Sequence, residues 1–199
     1  MSTRLERWKS LLEQVEVKLN TLAFNLTTLT IVSAEDLAIF ESLLNIMLPL
    51  GYKEFCQTFG EGSFGQGFIC IDCPNVEHFK IQAKSNTEII EACKSSFREA
   101  PLTQALLNHA YLFGLGSGTL LVFDLNTYES NDRSYDIYAI DENGDAHQIG
   151  RDFYNFVTNF CLGTELETKF PLLASTTMGY DRQEPRNQFT ATQSKWVLD

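Results

Sequence analysis

Gly60-Glu61-Gly62-Ser63-Phe64-Gly65 fits the pattern G-x-G-x-x-G, in which small residues let backbone amides close on phosphate oxygens. The surroundings argue against that chemistry. A dinucleotide site needs a strand before the glycines and a helix after them, whereas here a helical pattern ends at Phe59 and a strand, Gly67 to Asp72 (GFICID), follows. A kinase would also need HRD and DFG, and the sequence has neither. The glycines read as a helix-to-strand loop.

Cys70-Ile71-Asp72-Cys73 has the spacing of a zinc knuckle, but four-coordinate zinc needs a second pair, and Cys56, Cys93, Cys161, His78, His109 and His147 form none. Thioredoxin-type chemistry would place the motif at the opening of a helix, and here it closes a strand. Asp141, Asn143 and Asp145 alternate as in a calcium loop, yet Gly144 and Ala146 break the register and no Glu occupies the twelfth position. The histidines stand singly. Neither Ser63 nor Ser117 lies in a G-x-S-x-G elbow, because Glu61 and Leu115 stand where glycine is required. These patterns predict no cofactor, no metal and no catalytic constellation; a hydrolase whose site shares no motif is the remaining enzymatic alternative.

The segment from Asp124 to Asp152 is more distinctive. Asp124, Glu129, Asp132, Asp136, Asp141, Glu142, Asp145 and Asp152 are set against only Arg133 and Arg151, with Tyr128, Tyr135 and Tyr138 interleaved. Charged edges can simply keep a sheet from pairing with another. Tyrosine beside charge is also what interfaces use for anchoring and steering. The expected partner-binding residues are therefore Tyr128, Glu129, Asp132, Asp136, Tyr138, Asp141, Glu142 and Asp145.

The elements that must position them follow from periodicity. Leu5, Trp8, Leu12, Val15, Leu19 and Leu22 recur every three or four residues and predict an amphipathic helix. Ser33 can cap a second helix, with Asp36 three residues on and Leu37, Phe40, Leu43, Leu44 and Met47 as its stripe; Pro49 ends it and opens a third carrying Tyr52, Phe55, Cys56 and Phe59. After the GFICID strand, residues 86–99 and 101–109 read as two helices. From Tyr111 the spacing becomes that of strands, with Gly114 to Gly118 as a flexible turn and Asn143-Gly144 as a tight hairpin. Arg151 to Leu162 returns to helical spacing, and Gly163 stops it.

This order predicts one α+β domain, with a mostly antiparallel sheet from residues 66–72 and 110–149 and helices packed on one side. Leu43, Phe55, Ile69, Leu121, Phe123, Ile137, Phe153 and Phe156 are its expected core. The predicted organisation is a helical extension over 1–32, the domain over 33–162 with a helical insertion around 74–109, and an appendage over 163–199 docked through Phe170, Leu172 and Trp196.

The chain has 199 residues, 26 acidic against 15 basic, and a formal charge of -11. Such a surface is unsuited to direct binding of nucleic acid and suited to a basic partner. The opening MSTRLERWKS places charge where a signal peptide needs an apolar core, and no stretch approaches the ~20 apolar residues of a membrane span. Five scattered cysteines favour a reducing compartment, so a cytoplasmic location is expected and the Asn25 sequon is incidental.

Two blocks carry a resemblance. Ser33 to Gly62 (SAEDLAIFESLLNIMLPLGYKEFCQTFGEG) resembles the opening of the SUKH superfamily in its Phe40-Glu41, Leu48-Pro49, Tyr52 to Phe55, and Gly60 with Gly62. Tyr111 to Phe160 is similar to its C-terminal half, with the glycine-rich Gly114 to Gly118, a strand ending in Asp124, a hairpin, and Asp152-Phe153-x-x-Phe156. The resemblance implies an α+β fold and a non-catalytic binder, in most members an immunity protein that neutralises a cognate secreted toxin, often a nuclease. In others it implies a regulatory scaffold that binds a resident cellular protein.

Overall fold

Strand-forming residues in the second half of the chain alternate between two faces, and each face finds its own cover. The computed structural model describes residues 4–19, 28–65, 68–116, 118–169 and 187–192. In chain order these form α1 (Arg4–Gln14), β1 (Glu16–Leu19), α2 (Ala34–Leu44), α3 (Leu50–Thr58), β2 (Gly62–Phe64), β3 (Ile69–Ile71), α4 (Phe79–Ser96) and α5 (Pro101–Leu107). Then come β4 (Ala110–Gly116), β5 (Thr119–Glu129), β6 (Ser134–Ile140), β7 (Ala146–Gly150), α6 (Phe153–Asn155) continued by a π-helical stretch (Phe156–Cys161), α7 (Glu165–Lys169) and β8 (Gln188–Ala191). The strands make one sheet in the order β1-β8-β2-β3-β4-β5-β6-β7. Every neighbouring pair is antiparallel except β1 with β8. The fold is the expected single-domain α+β arrangement.

Along β5, Leu121 and Phe123 enter the larger core with Phe113, Ile137, Phe55 and Phe153. Phe113 and Phe123 stack at 4.2 Å, and Tyr52 sets its ring edge-on to Phe123 at 5.5 Å. Such pairs add about 1 kcal/mol each beyond the area they bury. Leu112, Val122 and Ile140 point to the opposite face, where Ile89, Ile90, Cys93, Phe97, Leu106 and Leu107 of the inserted helices meet them. Helices thus cover both faces, and the expectation of a single helical layer is corrected. The inserted segment has its own apolar stripe, and only the second sheet face is left to bury it.

Four further expectations change. The first helix stops at Gln14, and Leu19 lies in β1, paired in parallel with Ala191. That partner is so distant in the chain that local periodicity carries no trace of it. Leu43 is 45% exposed rather than core. In α2 the inward line is Leu37 and Phe40 with Leu44 behind them, and a residue one position off that line points about 100° away. The helix ends on Asn45, left-handed at φ 52, whose amide bonds the carbonyls of Glu41 and Ser42; Pro49 caps α3 instead. Finally, Gly114 to Gly116 belongs to β4, not to a turn. A side chain at Gly114 would sit 2.4 Å from the Cys70 carbonyl of β3, so glycine is needed there for close approach of two strands.

The other expected core residues, Phe55, Ile69, Leu121, Phe123, Ile137, Phe153 and Phe156, are buried. The cap by Ser33 is present: its hydroxyl accepts from the Asp36 amide at 3.0 Å and donates to the Asp36 carboxylate at 2.7 Å. Leu22, Asn25, Gly67, Ser117, Phe170, Leu172 and Trp196 lie outside the described residues. The C-terminal segment docks through β8, whose Phe189 is fully buried against Phe55, Phe59 and Phe64.

Candidate partner-binding surface

The glycine loop is occupied by the chain itself. Gly62 lies in β2 between β3 and β8, and a side chain there would meet the Phe189 ring at 2.3 Å and the Thr190 carbonyl at 2.6 Å. Gly60 adopts φ +74, and a side chain there would meet the Thr30 carbonyl at 2.2 Å. Both glycines serve packing. At the neighbouring Cys-x-x-Cys, burial and then the charges of Asp72 and Glu61 push the Cys70 thiol up, the reverse of what thiolate chemistry requires. Cys73 is raised further still, by burial and by a side-chain hydrogen bond with Cys56. No group of three or more potential metal ligands occurs among the described residues.

The acidic residues sit on the β5–β6–β7 meander at three levels. At one end the β5–β6 hairpin closes with Glu129 opposite Ser134, and Arg133 takes the left-handed φ 54 that the turn demands. The Asp132 carboxylate accepts from the Ser134 hydroxyl at 2.7 Å, and the Arg133 carbonyl accepts from the Leu50 amide at 2.9 Å, which ties the hairpin tip to the start of α3. Tyr128 packs on Tyr135 with ring centroids 5.1 Å apart. Asp132 is exposed and Glu129 half-exposed.

In the middle, Asp124 and Asp136 are direct cross-strand partners on the face that carries Val122 and Tyr138. His109 Nε2 lies 3.2 Å from Asp124, and Arg151 donates Nε and Nη2 to one Asp136 oxygen at 2.9 and 2.8 Å. The Thr127 hydroxyl accepts from the Asp136 amide and donates to the Asp124 carbonyl, both at 2.8 Å. Burial, then the charges of Asp136 and Asp124, push the Tyr138 phenol up.

At the far end, Asp141 organises the β6–β7 turn. Its Oδ1 accepts from the amides of Asn143 at 2.9 Å and Asp145 at 3.0 Å, while Oδ2 meets His147 Nε2 at 3.1 Å. Burial opposes ionisation of this carboxyl, yet the bonds from His147, Asp145 and Asn143 outweigh it and hold the group below the usual carboxylate range. Gly144 supplies φ +85 to the turn. Glu142 and Asp145 are left exposed beside it.

The structure therefore divides the eight expected residues. Seven residues of β6 separate the two hairpin tips by about 20 Å. Glu129 and Asp132 are together at one, Glu142 and Asp145 at the other, and Asp136 and Asp141 are engaged in internal bonds. The spacing predicts the strand between them, but counting carboxylates along the sequence takes no account of the distance that strand imposes. Nor does the sequence show that Ile39, Leu43 and Met47 are exposed, since their spacing is that of a buried stripe.

A family model described as SMI1 / KNR4 family (SUKH-1) matches residues 31–159. No curated protein matches the chain. The matched span takes in α2 through β7 and most of the π-helical stretch, and it leaves α1, β1, α7 and β8 outside.

Proposed function

The chain belongs to the SMI1/KNR4 (SUKH-1) family, and from that membership we propose that it is an immunity protein that binds and neutralises a basic protein toxin. SUKH proteins have immunity or regulatory roles as binders of other proteins, and their domains are generally non-catalytic. The observation that carries the finer reading is charge. A nuclease must present a basic surface to hold phosphates, and a protein of formal charge -11 is complementary to it. The accessible carboxylates at the hairpin tips, Glu129 and Asp132 or Glu142 and Asp145, are the ones placed to meet such a surface; Tyr128 is the anchor at the first tip, and Tyr138 lies midway along β6 on the other sheet face. Among the described residues no helix is long and apolar enough to cross a membrane.

The test is rescue by co-expression with the toxin domain encoded beside this gene. Immunity predicts survival of cells that carry both and death of cells that carry the toxin alone. A neighbouring locus without a toxin gene, combined with capture of a resident cellular protein, would instead support a regulatory scaffold.

A further inference from the structure

Among the described residues, the exposed large apolar side chains are Ile31, Ile39, Leu43, Met47 and Leu102. Four of these five fall within one short span, on α2 and its flanks. Glu35, Ile39 and Leu43 follow one another at four-residue steps, which stacks them along a single ridge of α2. Met47 stands just past the Asn45 cap, 48% exposed. Ordinary surfaces scatter such residues singly, and a contiguous run marks a contact site.

The charges around the ridge select what it fits. Helix α2 carries Glu35, Asp36 and Glu41 and no basic residue. Glu41 is held by Lys53 at 2.9 Å and Asp36 by Ser33 at 2.7 Å, while Glu35 is exposed at the head of the ridge. At the other end, the Leu50 amide bonds the Arg133 carbonyl, so the segment after Met47 runs into the hairpin tip that carries Glu129, Asp132 and the exposed Arg133. The apolar strip thus has the exposed Glu35 at its head and leads, past Met47, toward a tip where two carboxylates outnumber one guanidinium.

We propose that this ridge is a docking site for a basic amphipathic segment of a partner protein, apolar along the strip and carrying Lys or Arg at its two ends. A second copy of this chain would bring like charges together, at -11 each. An anionic lipid surface would be repelled by the same carboxylates. The site does not depend on the toxin reading, because any basic partner of this shape would satisfy it.

The test uses the full chain and a synthetic peptide of about 18 residues, leucine on one helical face and lysine elsewhere, long enough to hold a helix. Amide chemical-shift mapping should place the perturbations on residues 35–47 and 129–132. I39Q/L43Q/M47Q should weaken binding about tenfold or more, as removal of central apolar contacts does. E35K, a single exposed change, should weaken it less, and a leucine/glutamate peptide should not bind. Perturbations mapping elsewhere, or unchanged affinity in both variants, would overturn the proposal. So would self-association of the wild type that the triple variant abolishes, or binding to phosphatidylserine vesicles that it abolishes. Failure here leaves toxin rescue untouched, so the two readings are separable.

Discussion

Asp124 and Asp136 face each other across β5 and β6, and each carboxylate has its own partner, the His109 imidazole at 3.2 Å and the Arg151 guanidinium at 2.8 Å. Like charges directly opposite in a sheet are destabilising. The pair is tolerated because the chain brings a histidine from before β4 and an arginine from after β7 to the same sheet face.

Arg151→Ala should therefore destabilise the fold by about 1 kcal/mol, a modest figure because the guanidinium is partly exposed. Adding Asp136→Asn should recover most of that loss, since it removes the uncompensated charge. Urea denaturation of the two single variants and the double variant measures the coupling; strict additivity would contradict the compensation.

Asp72 gives a pH dependence of definite sign. Burial, then the charge of Glu61, raises its carboxyl to about 7. The folded state then holds a proton that the unfolded state has released between about pH 4 and 7, so this group's contribution to stability falls as pH rises through that window. The slope is at most about 1.4 kcal/mol per pH unit. Asp72→Asn should flatten the curve and raise the melting temperature at pH 7 more than at pH 4. Equal shifts at both values would contradict it.

The segments outside the family match are predicted to be indispensable. Trp8 and Phe189 are fully buried, and the Trp8 indole donates to Glu54 at 3.1 Å. Phe189→Ala or Trp8→Ala should cost about 3–5 kcal/mol, and a chain cut to residues 31–159 should fail to fold cooperatively. A truncated chain with a sharp thermal transition near that of the full chain would refute this.

Local chemistry made much of this fold legible. Ser33 announced a cap, Asn143-Gly144 a hairpin, and the change of spacing at Tyr111 a run of strands through Phe123 and Ile137. What could not be read depends on partners far away in the chain. The pairing of Glu16 with Gln188 decides that β1 is a strand, and the opposing demands of Leu44 and Leu43 are settled only by where α2 meets the core. The proposed binding surface was legible as composition, an excess of carboxylates with tyrosines, but its division into two tips follows from the length of β6. The glycine loop misleads for a related reason: the object filling it is Phe189, whose arrival no pattern near Gly62 foretells.

Stability should be insensitive to the exposed carboxylates. Replacing Glu142 and Asp145 by Lys is expected to change unfolding free energy by no more than about 0.5 kcal/mol. Asp141→Ala should cost more, because two turn amides and His147 lose their common acceptor. Thermal denaturation of both variants checks the distinction, and equal losses would contradict the assigned roles.

Association kinetics with the toxin domain that the proposed immunity function requires, measured across ionic strength, test that proposal most directly. Electrostatic steering predicts an association rate that falls steeply as salt shortens the screening length to about 8 Å and below. Reversing Glu129 and Asp132 to Lys, or Glu142 and Asp145, should slow association at low salt for the pair that forms the interface while the melting temperature stays nearly unchanged. An association rate that is independent of salt and of both reversals would contradict the account.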